Sequence, residues 1–160
     1  MEINFHSTVI FVQDIEISKK FYCDILKQTI IEDFGAVITL KNGLSLWQIP
    51  KKHPLKNEFY AAHKGNRSME ICFETEKIDE IVEQIKLKKI PKLHDLTEEP
   101  WGQRTIRFFD PDKNLVEIGE TLPVFINRMK NNGLSADEIN QKTGVPVKKI
   151  DDLIKKQSHV

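Results

Sequence analysis

The chain has 160 residues, a length that fits one domain with at most a small appendage. Its 24 Lys and Arg balance 24 Asp and Glu, so it lacks the broad positive field that draws proteins to nucleic acid or anionic membranes. Two distant cysteines, Cys23 and Cys72, exclude a disulfide framework and a thiolate zinc motif, and fit a reducing compartment.

Alternating and β-branched residues from Ile3 to Val12 predict a strand, after which Asp14 stands where a helix N-cap belongs. Ser18, Phe21, Tyr22 and Ile25 recur at helical spacing and give one apolar face to a helix from about Ile15 to Leu26. Three short strands follow, Thr29 to Asp33, Ala36 to Leu40 and Leu44 to Ile49, separated by Gly35 and by the hairpin-forming pair Asn42-Gly43. Lys51 to Arg67 is polar and reads as a connection that accommodates a short helix.

The pattern then begins again. Met69 to Glu74 is a strand, and Ile78, Ile81, Val82 and Ile85 make a second helical face ending near Lys88. Strands are expected at Lys92 to Leu96, Thr105 to Phe109 and Leu115 to Glu120, the last two joined by Asp110-Pro111-Asp112-Lys113-Asn114. Two tandem βαβββ modules make an α+β fold over residues 1–122, followed by a helical tail over 123–160. A four-stranded sheet covered on one face by its helix leaves the other face open, and two curved mixed sheets paired through those faces would close a cleft. Such a cleft is a natural small-molecule site.

The run from Asp14 through Ser18, Phe21, Tyr22 and Asp24 to Leu26 resembles the first-helix signature of the vicinal-oxygen-chelate superfamily, which includes glyoxalase I, bleomycin-resistance proteins and extradiol dioxygenases. Asp110-Pro111-Asp112-Lys113-Asn114-Leu115-Val116-Glu117 resembles its closing hairpin and last strand, with Lys113 where the family usually has Gly. The resemblance spans Ile3 to Glu120, about three quarters of the chain.

That resemblance implies a divalent metal (Mn, Fe, Ni, Zn or Mg) in the cleft, held by the first and last strand of each module. The implied positions fall on Ser7, Leu46, Glu70 and Glu117, of which only the two glutamates match the family's ligand types. His6 is one residue out of register and, by strand alternation, faces away from Ser7, Val9 and Phe11. Gln48 shares the parity of Leu46, so Gln48, or His6 turned inward by a β-bulge, is the residue that would complete a site begun by Glu70 and Glu117. The alternative is that the glutamates are polar groups neutralised by a nearby arginine. If the chain is catalytic, the resemblance implies metal-assisted proton transfer or lyase chemistry, with Glu70 or Glu117 as base.

Pro100-Trp101-Gly102-Gln103-Arg104, with Arg107 three residues on, resembles a segment of a largely uncharacterised branch of the superfamily. Arginine forks bind carboxylate or phosphate at two points, so Trp101, Gln103, Arg104 and Arg107 are candidate contacts for an anionic ligand. The competing reading packs Trp101 under a loop and spends the arginines on Glu70 or Glu117. Cys72 shares the parity of Glu70, which makes it a ligand-wall candidate, whereas Trp47 and Phe73 alternate towards the helix side. No base that would activate the Cys72 thiol is identifiable.

In the tail, Val124 to Asn131, Ser135 to Thr143 and Val147 to Lys156 read as helices, with Gly133 and Gly144 at the turns and Ser135 with Glu138 forming a capping box. Leu134 to Ile150 resembles a helix-turn-helix, yet its second helix carries Asp151 and Asp152 against a modest lysine excess. A docking or dimer-forming tail is therefore expected in preference to a DNA-reading one. No segment approaches the roughly 20 apolar residues that span a bilayer. The expectation is a cytoplasmic homodimer that binds a small molecule without nucleic acid or membrane; a metal-dependent isomerase, lyase or dioxygenase and a ligand-responsive DNA-binding regulator are the alternatives.

Overall fold

The computed structural model describes residues 5–54 and 69–157. Two compact units are formed, Met1–Met69 with Phe109–Leu115 and Glu70–Phe108 with Val116–Val160.

In the first unit the order is β1 (Thr8–Phe11), α1 (Ile15–Lys19, continued by a π-helical turn over Lys20–Ile25), β2 (Ile30–Asp33), β3 (Val37–Leu40) and β4 (Leu44–Trp47). The sheet order is β1-β4-β3-β2, with β1 parallel to β4 and the other pairings antiparallel. Asp14 caps α1 as expected, its Oδ1 accepting from the N–H groups of Glu16 and Ile17. The helix packs against β4 and buries Phe21 and Tyr22.

The turn of residues 109–115 docks on α1. Asp110 Oδ2 accepts from the hydroxyl of fully buried Tyr22 at 2.9 Å, and Asp112 Oδ1 accepts from Gln13 N at 2.9 Å. Asp110 Oδ1 also accepts from the N–H groups of Asp112 and Asn114. That scaffold holds Lys113 at φ 66°, so the lysine takes up the left-handed conformation that glycine serves in the family.

Strand register corrects one expectation. Parallel partners face the same way, and β1 pairs Ile10 with Leu46 and Phe11 with Trp47. Ile10 and Leu46 are buried, whereas the Phe11 and Trp47 rings meet at 5.7 Å. Trp47 therefore shares the face of Val9 and Phe11, and Leu46 lies on the helix side. The face opposite α1 receives Ser45 and Trp47 from β4.

The second unit contains β5 (Ile71–Thr75), α2 (Ile78–Leu87), β6 (Thr97–Glu98), β7 (Arg104–Phe109), β8 (Leu115–Glu120), α3 (Leu122–Asn131), α4 (Ala136–Thr143) and α5 (Val147–Gln157). Its sheet order, β5-β8-β7-β6, repeats that of the first, with β5 parallel to β8. The strand expected at Lys92 to Leu96 is absent. Lys92 makes one isolated bridge to Phe108, the chain turns over His94 and Asp95, and the ladder resumes only at Thr97–Glu98. Proline at 91 withholds a donor and Asp95 lends its carbonyl to local bonds, so a longer edge ladder has few groups left to use. The first strand's ladder begins at Thr8; its expected start at Ile3 and most of the Lys51 to Arg67 connection lie outside the described residues.

The tail forms a small core of its own from Phe125, Ile126, Met129, Ile139 and Ile150, with Leu122, Leu134, Val145, Leu153 and Ile154 packed around it. Helix α3 begins at Leu122 because Pro123 sits in the first turn, where a missing N–H costs nothing. The expected capping box is present at α4, and Gly144 closes that helix at φ 74°.

The carboxylate of Glu120, 0% exposed, joins this bundle to the sheet of its unit. It accepts from Arg104 Nε at 2.9 Å and from Arg128 Nη2 of α3 at 2.9 Å. Arg128 also pairs with Glu98 and donates to the Gly102 carbonyl, and Lys142 of α4 reaches Glu98 at 2.8 Å. Burial pushes the Glu120 carboxyl up, but the bonds from Arg128 and Arg104 outweigh it and hold the group below the ordinary carboxylate range. Glu98 is held low chiefly by Lys142.

Removing one partner of a buried ion pair strands the other charges, so Glu120→Ala should cost about 3–5 kcal/mol in urea denaturation at pH 7. Because the folded pKa values of Glu120 and Glu98 are depressed, their stabilisation is complete above the unfolded carboxylate pKa and lost as pH falls below it. Wild-type stability should therefore fall between about pH 5 and pH 3, and less steeply in Glu120→Gln, as urea midpoints measured across that range would show.

Candidate functional site

Strand β7 alternates two arginines onto opposite faces of its sheet. Ile106 and Phe108 are buried on one face, and Arg104, of the same parity, reaches Asp79 in the first turn of α2 as well as Glu120. Thr105 and Arg107 lie on the opposite face. There the β5–β8 register pairs Cys72 with Glu117, and Glu70 follows the parity of Cys72. Glu70 and Glu117, 47 positions apart in the chain, are therefore neighbours on one face of one sheet.

One ligand atom each from Glu70, Cys72 and Glu117 lie within 4.8 Å of one another. Arg107 enters this group. Its Nε donates to Glu70 Oε2 at 2.9 Å, its Nη2 pairs with Glu117 Oε2, and its Nη1 donates to Glu99 Oε1 at 2.7 Å. The Glu99 oxygen also accepts from Thr105 Oγ1 at 2.8 Å, and His94 Nε2 lies 3.3 Å from Arg107 Nη1.

Burial pushes the Glu117 carboxyl above its ordinary value; Arg107 opposes this, and Glu70 and Glu99 reinforce it. The bond from Arg107 holds Glu99 low. Burial, followed by the fields of Glu70 and Glu117, pushes the Cys72 thiol up to about 11.

The other candidates are placed elsewhere. His6 is exposed and its Nδ1 lies 3.0 Å from Ser7 Oγ. Gln48 Oε1 accepts from Ile15 N at 3.0 Å, at the start of α1, and lines a hollow of about 390 Å³ with Gln13, Ala36, Ile49 and Lys51. Arg104 is committed to Glu120 and Asp79. Gln103 Nε2 donates to the Glu120 carbonyl, and its Oε1 accepts from the indole N–H of Trp101, which is 41% exposed. A Cβ at Gly119 would lie 2.6 Å from Gln103 Nε2, and one at Gly102 would lie 2.7 Å from the Met129 sulfur. The Trp-Gly-Gln-Arg segment is thus the seat on which α3 rests.

Sequence reasoning missed Glu99 and Thr105, which lie outside every motif, and the Phe11, Trp47 and His53 group, where the Trp47 and His53 rings meet edge to face at 5.4 Å. Strand parity signals Thr105, Phe11 and Trp47 only once register is known, and Glu99 and His53 lie outside the strands, where no periodicity marks them.

A divalent ion fits this group poorly. Glu70 and Glu117 each already serve a guanidinium, Cys72 holds its proton, and Leu46 is buried on the helix side of its own sheet.

Comparison with known proteins is consistent with this architecture. A family model described as "Glyoxalase-like domain" matches residues 5–123. The chain belongs to the glyoxalase-like family, within the vicinal-oxygen-chelate superfamily. A solved structure of a protein of unknown function from Agrobacterium tumefaciens is 32% identical, with 76% of this chain and 97% of that one covered at a TM-score of 0.64. A glyoxalase/dioxygenase from Nostoc punctiforme is 22% identical over 72% of this chain and 88% of that one, with a TM-score of 0.56. The fosfomycin resistance protein FosX of Listeria monocytogenes is 19% identical over 76% and 97%, also at 0.56. The last two likenesses concern the fold alone. No curated protein matched. The match to the glyoxalase-like family ends inside α3.

A thiol pushed to about 11 is almost wholly protonated at neutral pH. Alkylation of Cys72 by iodoacetamide at pH 8 should be about a hundredfold slower in the folded protein than in urea, and should rise with pH. Peptide mass mapping separates it from Cys23.

Proposed function

We propose that this glyoxalase-like protein binds a small molecule against the face of its second sheet that carries Glu70, Cys72, Arg107 and Glu117, and does so without a tightly held metal. One observation carries the reading: the guanidinium of Arg107 is clasped by Glu70 and Glu117, at the positions the resemblance assigns to ligands, and by Glu99. The expectation of an anionic ligand rested on Arg104 and Arg107, and both forks are spent on the protein's own carboxylates. Three carboxylates against one guanidinium leave a negative excess, which favours a ligand bearing a cationic or hydrogen-bond-donating group.

A second reading rests on Glu117, whose raised carboxyl pKa suits a general base. In it, Arg107 would steady developing negative charge on the substrate while Glu117 takes the proton. Glu117→Gln should then abolish turnover of any substrate found while preserving binding.

Matched panels of cationic and anionic small molecules, scored by thermal shift and then calorimetry, test the first reading. Saturable stabilisation by cationic compounds, weakened in Glu99→Gln, is the expected result. Tight binding of carboxylates or phosphonates would overturn the ligand class. The hemithioacetal of methylglyoxal and glutathione should not be converted, with or without added Ni²⁺ or Zn²⁺; conversion at rates well above background would favour the metal-dependent isomerase.

A further inference from the structure

Glu70, Cys72 and Glu117 offer the donors of a metal site, with ligand atoms within 4.8 Å of one another, but a side chain already stands among them. We infer that the guanidinium of Arg107 occupies the place of a divalent cation, as a resident charge that blocks a latent metal site made by Glu70, Cys72 and Glu117.

The geometry supports substitution rather than mere proximity. Arg107 spends Nε on Glu70, Nη2 on Glu117 and Nη1 on Glu99, so its charge and its planar set of donors are shared among three carboxylates from three parts of the unit. It is also locked there. Thr105 fixes the Glu99 oxygen that Arg107 uses, and the arginine side chain is only 20% exposed. An incoming divalent ion would face a fixed positive charge at contact distance, and expelling that charge would leave a guanidinium partly buried without its partners. Lysine could not reproduce the arrangement, since a single ammonium point cannot span three carboxylates in one plane.

Two consequences follow. The acidic face is kept from scavenging metal in a cell where zinc and manganese are available, and the cation that steadies Glu70 and Glu117 is encoded in the chain and cannot exchange. The inference concerns the same face as the ligand site proposed above. Its test uses metal ions alone, so it can fail while ligand binding holds, and the reverse.

Calorimetric titration of Zn²⁺, Mn²⁺ and Co²⁺ into wild type, Arg107→Ala and Arg107→Ala/Glu117→Gln decides it. Wild type should bind no more tightly than the Glu70→Gln/Glu117→Gln background, while Arg107→Ala should take up one equivalent at least about tenfold more tightly and lose that gain with Glu117→Gln. In Arg107→Ala, Co²⁺ should give a thiolate charge-transfer band that disappears with Cys72→Ser. Circular dichroism establishes that the variants are folded, and Arg107→Gln replaces the alanine variant if that one is not. A wild type that binds one equivalent as tightly as Arg107→Ala, or a folded Arg107 variant that gains nothing, overturns the inference.

Discussion

The pairing of β5 with β8 is the constraint on which the second unit depends. Once Cys72 lies beside Glu117, strand alternation sends Glu117 to one face of the sheet and Glu120 to the other. Strand β7 answers with Arg107 and Arg104, also on opposite faces. The same residue types, a few positions apart, thereby do two different jobs. Arg104 and Glu120 build a buried joint for the tail, and Arg107 with Glu117 builds a charged face on the other side of the sheet.

These two ion-pair systems differ in ways that burial explains. Glu120 is fully enclosed and served by two guanidinia, so its charge is compensated where water cannot help. Arg107 reverses the ratio, with one guanidinium among three carboxylates, and the face keeps an electrostatic demand. Burial, followed by the fields of Glu70 and Glu117, pushes the Cys72 thiol up and keeps it protonated near neutral pH.

The Trp-Gly-Gln-Arg segment shows how recognition chemistry and structural need draw on the same residue types. Its aromatic ring and guanidinium read as ligand contacts because those groups are good at recognition. In the folded unit three of its four residues answer a structural need. Gly102 admits Met129, Gln103 lies over Gly119, and Arg104 neutralises Glu120. The tail segment that resembles a helix-turn-helix has a capping box and a left-handed glycine at the turn, and its two core isoleucines, Ile139 and Ile150, cluster with Phe125 and Ile126 of α3.

The sequence by itself determined the repeat of two βαβββ modules, the Asp14 cap, the Asp-Pro-Asp turn and the three tail helices, because each rests on local periodicity and capping chemistry. It also determined that Glu70 and Cys72 share a face, since that needs only alternation along one strand. Tertiary structure decided the rest. Whether Leu46 or Trp47 faces away from α1 depends on which residue of β1 each one pairs with, and a slip of one position reverses every side chain. Arg107 could be named as a candidate beforehand, but its choice of Glu70, Glu99 and Glu117 over a ligand required three separated segments to meet. That meeting is set by packing across the sheet, where no local pattern carries the information.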